Sequence, residues 1–283
     1  MSGRLGIIAG GGQLPIKLAQ YVTPMQQVFV IRLVGFSDAA LQEYSGADIN
    51  IGSIGATVSA LQAAGCERVV FAGAVSRPDF ATVELDETGR AHLPKLLEAA
   101  QRGDDALLAA LVEIIAEQGF NVVGAHEVCP QLLCPTGLFA GALPNPQDTD
   151  DLRKGYRIAR LIGHEDIGQA CVVAGGLVLA LEAQEGTDGM LRRVSELPEA
   201  IRGSGSNRRG VLVKCAKPQQ ERRIDLPVIG IETVQNVASA GLAGIGLEAG
   251  SCLIIDRGAV QAEALRHGIF VVGLNNDPSA DTP

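Results

Sequence analysis

Leu5-Gly6-Ile7-Ile8-Ala9-Gly10-Gly11-Gly12-Gln13-Leu14-Pro15 decides how the rest of the chain is read. A short apolar run enters three glycines, and a proline follows where the first turn of a helix would lie. The stretch is a buried strand, a tight turn and a helix start. Working outward, residues 28–33 and 68–71 read as further buried strands, and residues 57–64 as a helix ending at Gly65. Asp104 and Asp105 can cap a helix whose apolar face is Leu107, Leu108, Leu111, Val112 and Ile115, with Gly119 stopping it and residues 121–123 forming the next strand. Strands alternating with helices imply a mainly parallel sheet with helical crossovers.

The character of the chain changes near residue 129. Pro130, Pro135, Pro144 and Pro146 place four prolines in 17 residues, which marks a linker. A helix from Asp150 or Asp151 to about Ile162 follows. Further strands are expected at 170–173, 178–181, 211–215, 252–255 and 269–272, with helices at 233–240 and 258–267. The expected fold is α/β in two domains. Residues 1–130 form an N-terminal Rossmann-like domain with a mainly parallel sheet, and 131–149 a Pro-rich linker. Residues 150–277 form a C-terminal α/β catalytic domain, and 278–283 a frayed tail.

Composition narrows the function classes. The 283 residues are 47% hydrophobic, 19% charged and only 4% aromatic, with 35 glycines and no tryptophan. An aliphatic, glycine-rich chain suits α/β layers better than a β-sandwich. A net charge of −9 argues against a nucleic-acid partner, as does the shortage of stacking aromatics. The longest apolar run, 170–181, is too short to span a bilayer and is interrupted by Gly175 and Gly176. Residues 5–9 are too short for a signal-peptide core, so a cytoplasmic location is expected. The six cysteines contain no C-x-x-C pair and several sit in apolar runs, so they read as reduced structural thiols.

Three stretches carry candidate chemistry. The glycine turn at Gly10, Gly11 and Gly12 offers free N–H groups and a helix start to an anion, with Gln13 beside it. As a dinucleotide fingerprint it is incomplete, because Pro15 stands at the third glycine position and no acid ends the second strand. Glu182 and Glu185-Gly186-Thr187-Asp188 come straight out of a buried strand, where catalytic groups of α/β sheets commonly lie. From Arg192 to Arg223 nine basic residues oppose three acids, a local +6 inside a chain of −9, which suggests an anionic ligand such as phosphate. A solvated loop accounts for Arg202, Arg208 and Arg209, but Lys214 interrupts the apolar strand Val211-Leu212-Val213. Asp225, behind Arg222 and Arg223, suits either a metal or water contact or an ion pair with one of those arginines.

The glycine turn with Gln13-Leu14-Pro15, Glu-Gly-Thr-Asp at 185–188, Val211-Leu212-Val213-Lys214, Lys217-Pro218-Gln219 and Arg223-Ile224-Asp225-Leu226-Pro227-Val228-Ile229-Gly230 occur in one order. In these motifs, over residues 5–273, the chain resembles the LpxI family of UDP-2,3-diacylglucosamine pyrophosphatases, enzymes of bacterial lipid A synthesis. The resemblance implies hydrolysis of UDP-2,3-diacylglucosamine to UMP and 2,3-diacylglucosamine 1-phosphate (lipid X), assisted by Mg²⁺ or Mn²⁺. It implies a UDP-linked diacylated glucosamine as partner, no nucleic acid, and transient contact with the inner face of the inner membrane. The oligomeric state stays open, a homodimer among the options.

On this reading Asp225, Asp188, Glu185 and Lys214 are the catalytic candidates, with Asp225 and Asp188 at the metal. Gly10, Gly11, Gly12, Gln13, Thr187, Arg193, Lys217 and Arg223 are the substrate-binding candidates. Glu221 stands where the family pattern has Asp, which points away from position 221 and toward Asp225. Two alternatives remain. One is an NAD-dependent nucleotide-sugar oxidoreductase or epimerase, which the incomplete fingerprint opposes. The other is a non-catalytic binding protein for a nucleotide-linked lipid, which only turnover separates from an enzyme.

Overall fold

The structure, a computed structural model, describes residues 3–77 and 79–275. By its internal contacts the chain divides into two compact units, Met1–Pro130 with Glu221–Asp225, and Gln131–Gln220 with Leu226–Pro283. Residues 221–225 thus group with the first unit, although they follow the motifs of the second in sequence. Ile224 accounts for this, because it packs against the first unit's apolar core.

The first unit holds strands β1 (Arg4–Ala9), β2 (Val28–Leu33), β3 (Gly46–Ile49), β4 (Cys66–Ala72) and β5 (Asn121–Val122). Its helices are α1 (Gln13–Val22), α2 (Ile54–Ala63), α3 (Glu87–Gln101), α4 (Asp104–Glu117) and the single turn α5 (Ala125–Val128). The sheet order is β3-β2-β1-β4-β5 and every pairing is parallel. The chain therefore leaves β1 toward one edge and later returns to its other side, so the order reverses beside the carboxyl end of β1. The helix α3 had no clear sequence signal. The pattern of α3 is weak because few of its side chains are buried and Pro94 lies inside it, yet Asp86 caps it through a bond from the Gly89 amide of 2.7 Å.

The second unit holds β6 (Gly137–Ala140), β7 (Ala170–Ala174), β8 (Leu177–Leu181), β9 (Val211–Lys214), β10 (Val228–Ile229), β11 (Gly244–Glu248), β12 (Leu253–Ile254) and β13 (Phe270–Leu274). Its helices are α6 (Pro146–His164), α7 (Gly186–Ser195), α8 (Glu199–Arg202), α9 (Ile231–Ser239) and α10 (Arg257–His267). Six strands form a mixed sheet of order β6-β13-β11-β9-β7-β8, and β10 pairs with β12. β9, β11 and β13 run parallel, while β6, β7 and β8 each pair antiparallel with a neighbour. The segment 131–149, rich in proline, contains β6 and the start of α6. Pro146 occupies the first turn and the Asn145 side chain accepts the Asp148 amide at 2.8 Å, so α6 begins four residues before Asp150.

The central strand β11 escaped the sequence reading because glycines break its apolar run. A Cβ on Gly244 would lie 2.2 Å from the Phe270 ring, and one on Gly246 would lie 2.5 Å from a Leu152 methyl. The glycines make room for the packing that buries the strand. The tail 278–283 lies outside the described residues.

All six cysteines are free and buried. Burial pushes the Cys134 and Cys171 thiols up to about 12 and raises those of Cys66, Cys215 and Cys252. Because the thiolate is the reactive form, a thiol reagent at pH 8 should label the native protein slowly. Labelling should become complete once denaturant unfolds it. Rapid reaction of any of these five in native protein would contradict their placement.

Candidate active site

Part of the candidate chemistry, Lys214, Thr187 and Asp188, lies at one end of the second unit's sheet, beyond the carboxyl end of β9. Lys214 ends β9 with 6% of its surface exposed, and Glu182 follows β8 with 5% exposed. Because β7 runs antiparallel to both neighbours, Ala170 at its start lies opposite Lys214, and Glu182 donates its amide to the Ala170 carbonyl at 2.9 Å. Gly186, at φ +71°, turns the chain into α7, placing Thr187 and Asp188 in that helix's first turn. The Lys214 ammonium donates to Thr187 Oγ1 at 2.9 Å and to the Val228 carbonyl at 3.2 Å. Thr187 in turn donates to Glu182 Oε1 at 2.6 Å, and Glu182 Oε2 accepts the Gln169 amide at 3.0 Å. Two buried charges of opposite sign are thereby joined through one hydroxyl.

Asp188, exposed on the same first turn, accepts from Asn236 Nδ2 at 2.8 Å. Glu185 is ion-paired with Arg193, which also donates to the Leu181 carbonyl at 3.0 Å. Its own backbone amide and that guanidinium hold the Glu185 carboxyl below the usual carboxylate range. Lys217 is paired with Asp166 at 2.6 Å. Glu248, at the end of β11, is 3% exposed and accepts the Ala216 amide at 2.9 Å and Arg160 at 3.3 Å. The sequence reading selected neither Asn236 nor Glu248, whose partners lie far away along the chain. Glu248 had a local signal, an acid closing an apolar run.

Of the four cations expected at phosphate, three face carboxylates. Arg193 faces Glu185, Lys217 faces Asp166, and Arg223 grips Glu221 through two bonds of 2.8 and 2.7 Å. Lys214 differs, since the named bonds of its ammonium go to neutral oxygens. The arginines read as solvated are also employed. Arg208 donates to the carbonyls of His267 and Ala238 at 2.8 and 2.9 Å, and Arg202 to that of Leu197 at 2.8 Å. They satisfy carbonyls that helix ends and turns leave open.

In the first unit the glycine turn is clipped to the loop after β4. Gly10 donates to the Ala72 carbonyl at 2.8 Å, Gly11 to that of Ala74 at 2.8 Å, and Ala74 returns a bond to Gly11 at 2.9 Å. The amides of Gly10 and Gly11 are therefore committed within the fold, contrary to the expectation of free donors. Gly12 and Gln13 are exposed at the start of α1. Asp225 is half-buried in a turn in which its amide donates to the Glu221 carbonyl at 3.0 Å. Asp225 and Asp188, the pair expected at the metal, fall in different units. Among the described residues, no three of His, Cys, Asp and Glu gather as a ligand set. Mg²⁺ needs only one or two carboxylates when substrate phosphates complete its shell, a donor set that single acids such as these can supply.

The chain is a two-domain α/β protein with a buried ammonium and a helix-start acid at the carboxyl end of one sheet. Family models agree with that class: the LpxI N-terminal domain matches residues 4–132 and the LpxI C-terminal domain residues 135–272. The chain belongs to the LpxI family. It is 50% identical over 273 residues to the UDP-2,3-diacylglucosamine pyrophosphatase LpxI of Caulobacter vibrioides, covering 96% of this chain and 98% of that protein.

The glycine turn makes its own prediction. A Cβ on Gly10 would lie 2.6 Å from the Ala74 carbonyl oxygen, whereas none of the surroundings crowd one on Gly12, whose cost is its φ of +84°. Gly10→Ala should lower stability by about 1–3 kcal/mol, as overpacking does. A melting temperature equal to that of the parent protein would contradict the clipped turn.

Proposed function

We propose that this chain hydrolyses the pyrophosphate bond of UDP-2,3-diacylglucosamine, releasing UMP and 2,3-diacylglucosamine 1-phosphate. The observation that carries the reading is 50% identity with a pyrophosphatase of that name over nearly the full length of both chains. The buried Lys214 ammonium, with neutral oxygens as its named partners, supports it from the side of the geometry. Water adds to one phosphorus, the bridging P–O bond breaks, and negative charge grows on the phosphate oxygens. A fixed cation that need not be desolvated again stabilises that charge more in the transition state than in the substrate.

In this reading Lys214 donates to a phosphate oxygen, and Arg193, Lys217 and Arg223 exchange carboxylate partners for phosphate. Exposed ion pairs such as that of Arg193 are weak enough to make the exchange feasible. Gly12 and Gln13 present the first unit's surface to the nucleotide, with Gly10 and Gly11 shaping the turn behind them in a Rossmann-like domain. Asp225, Asp188 and Glu185 position water or metal. Asp225 and Asp188 are the proposed Mg²⁺ contacts, with Mn²⁺ as substitute. When bound, the ion supplies charge neutralisation at the pyrophosphate. No described helix is long and apolar enough to cross a membrane. In this proposal the diacylated substrate is met at the inner membrane's cytoplasmic face.

Incubation with UDP-2,3-diacylglucosamine and Mg²⁺ should release UMP, EDTA should stop it, and excess Mg²⁺ should restore it. Absence of UMP would overturn the activity, and full turnover after thorough chelation would overturn the metal. Asp225→Ala should lose about 10²–10⁴ in kcat, the range for one positioned catalytic group, while keeping its melting temperature. A variant that melts early but turns over normally would mark Asp225 as structural.

A further inference from the structure

Glu182 stood out in the sequence as an acid at a strand end but was given no role, and the hydrogen bonds around it run in a single direction. A threonine hydroxyl has one proton to give, and Thr187 stands 2.6 Å from Glu182 Oε1. An ammonium can only donate, so Thr187 Oγ1 must accept from Lys214 at 2.9 Å and pass its own proton's bond to Glu182. The order Lys214 to Thr187 to Glu182 is fixed. At its far end, Glu182 Oε2 accepts the backbone amide of Gln169 at 3.0 Å. Glu182 therefore needs two acceptor oxygens at once, which a carboxylate supplies and an amide side chain does not.

We infer that Glu182 is a positioning residue that acts through Thr187 to hold the Lys214 ammonium in place for the phosphate, a role that rests on the pyrophosphatase reading. Lys214 has three N–H donors. Thr187 and the Val228 carbonyl take two of them, which orients the third toward an incoming oxygen. Thr187, expected from the sequence as a substrate contact, becomes the link in this relay: its proton is committed to Glu182 and is not available to the substrate. Glu182→Gln cannot satisfy both donors. Whichever way the amide turns, its NH₂ faces either the Gln169 N–H or the Thr187 hydroxyl, and in the second case the hydroxyl proton is driven toward the ammonium.

The test compares Glu182→Gln, Thr187→Val, Thr187→Ser and the double variant Glu182→Gln/Thr187→Val in kcat and KM with UDP-2,3-diacylglucosamine. Each of the first two should lose about 10–100-fold in kcat, the loss seen when a group that orients another is removed, with a smaller change in KM. Thr187→Ser should recover most of what Thr187→Val loses. Because both act through one hydroxyl, the double variant should be no slower than Thr187→Val by more than about twofold. Parent-like kcat in Glu182→Gln or Thr187→Val, or losses that multiply in the double variant, would overturn the relay. A second readout stands apart from turnover. In protein labelled with ¹⁵N at lysine Nζ, Lys214 should give a resolved, slowly exchanging ammonium resonance that both single variants lose. Its persistence in both, or its absence from the parent, would also overturn the relay. An unmodified protein that releases no UMP yet shows this resonance and its loss would overturn the proposed activity and leave the relay standing.

Discussion

The second unit is organised around one shared hydroxyl. Lys214 and Glu182 are both almost fully buried, and Thr187 Oγ1 joins them. Burying either charge alone is expensive, and removing one partner of a buried pair costs about 3–5 kcal/mol. The chain must therefore deliver three separate segments to one place. Lys214 arrives at the end of β9, Glu182 just after β8, and Thr187 in the first turn of α7. The antiparallel pairing of β7 with both β8 and β9 sets this up, because it puts the end of β8 and the end of β9 on either side of the start of β7. Gly168 is part of the same arrangement: a Cβ there would lie 2.2 Å from the Glu182 carbonyl oxygen.

Much of this was legible in the sequence. The glycine turn after residues 5–9 correctly announced strand, turn and helix. Lys214 stood out because a cation inside an apolar strand has to be placed somewhere deliberate. Glu182 was visible as an acid at a strand end, but nothing in its neighbourhood told it apart from Glu185, which pairs with Arg193 at the surface. That distinction depends on the register of β7 against β8. Asn236 beside Asp188 and Asp166 beside Lys217 were equally out of reach, since each contact joins residues about 50 positions apart. The strand β11 was hidden because its glycines accommodate Phe270 and Leu152, a reason found only in the packing.

The basic stretch from Arg192 to Arg223 shows where charge counting loses resolution. The excess of cations suggested phosphate, and the structure divides them by employment. Arg202 and Arg208 close carbonyls at turns and helix ends, while Arg193, Lys217 and Arg223 sit against carboxylates. Lys214 differs from these five in being buried with neutral oxygens as its named partners, which suits it to a developing phosphate charge. The glycine turn carries the same lesson for donors. Two of its amides close the turn onto residues 72–74, so the feature that looked most like an anion cradle owes Gly10 and Gly11 first to the close approach of backbone.

The measurement that bears most directly on this account is a crystal structure of the protein with 2,3-diacylglucosamine 1-phosphate bound. The account predicts a phosphate oxygen about 2.7–3.2 Å from Lys214 Nζ, with the bonds from Lys214 to Thr187 and from Thr187 to Glu182 intact. A phosphate held by other residues, with Lys214 making no contact to it, would contradict the account.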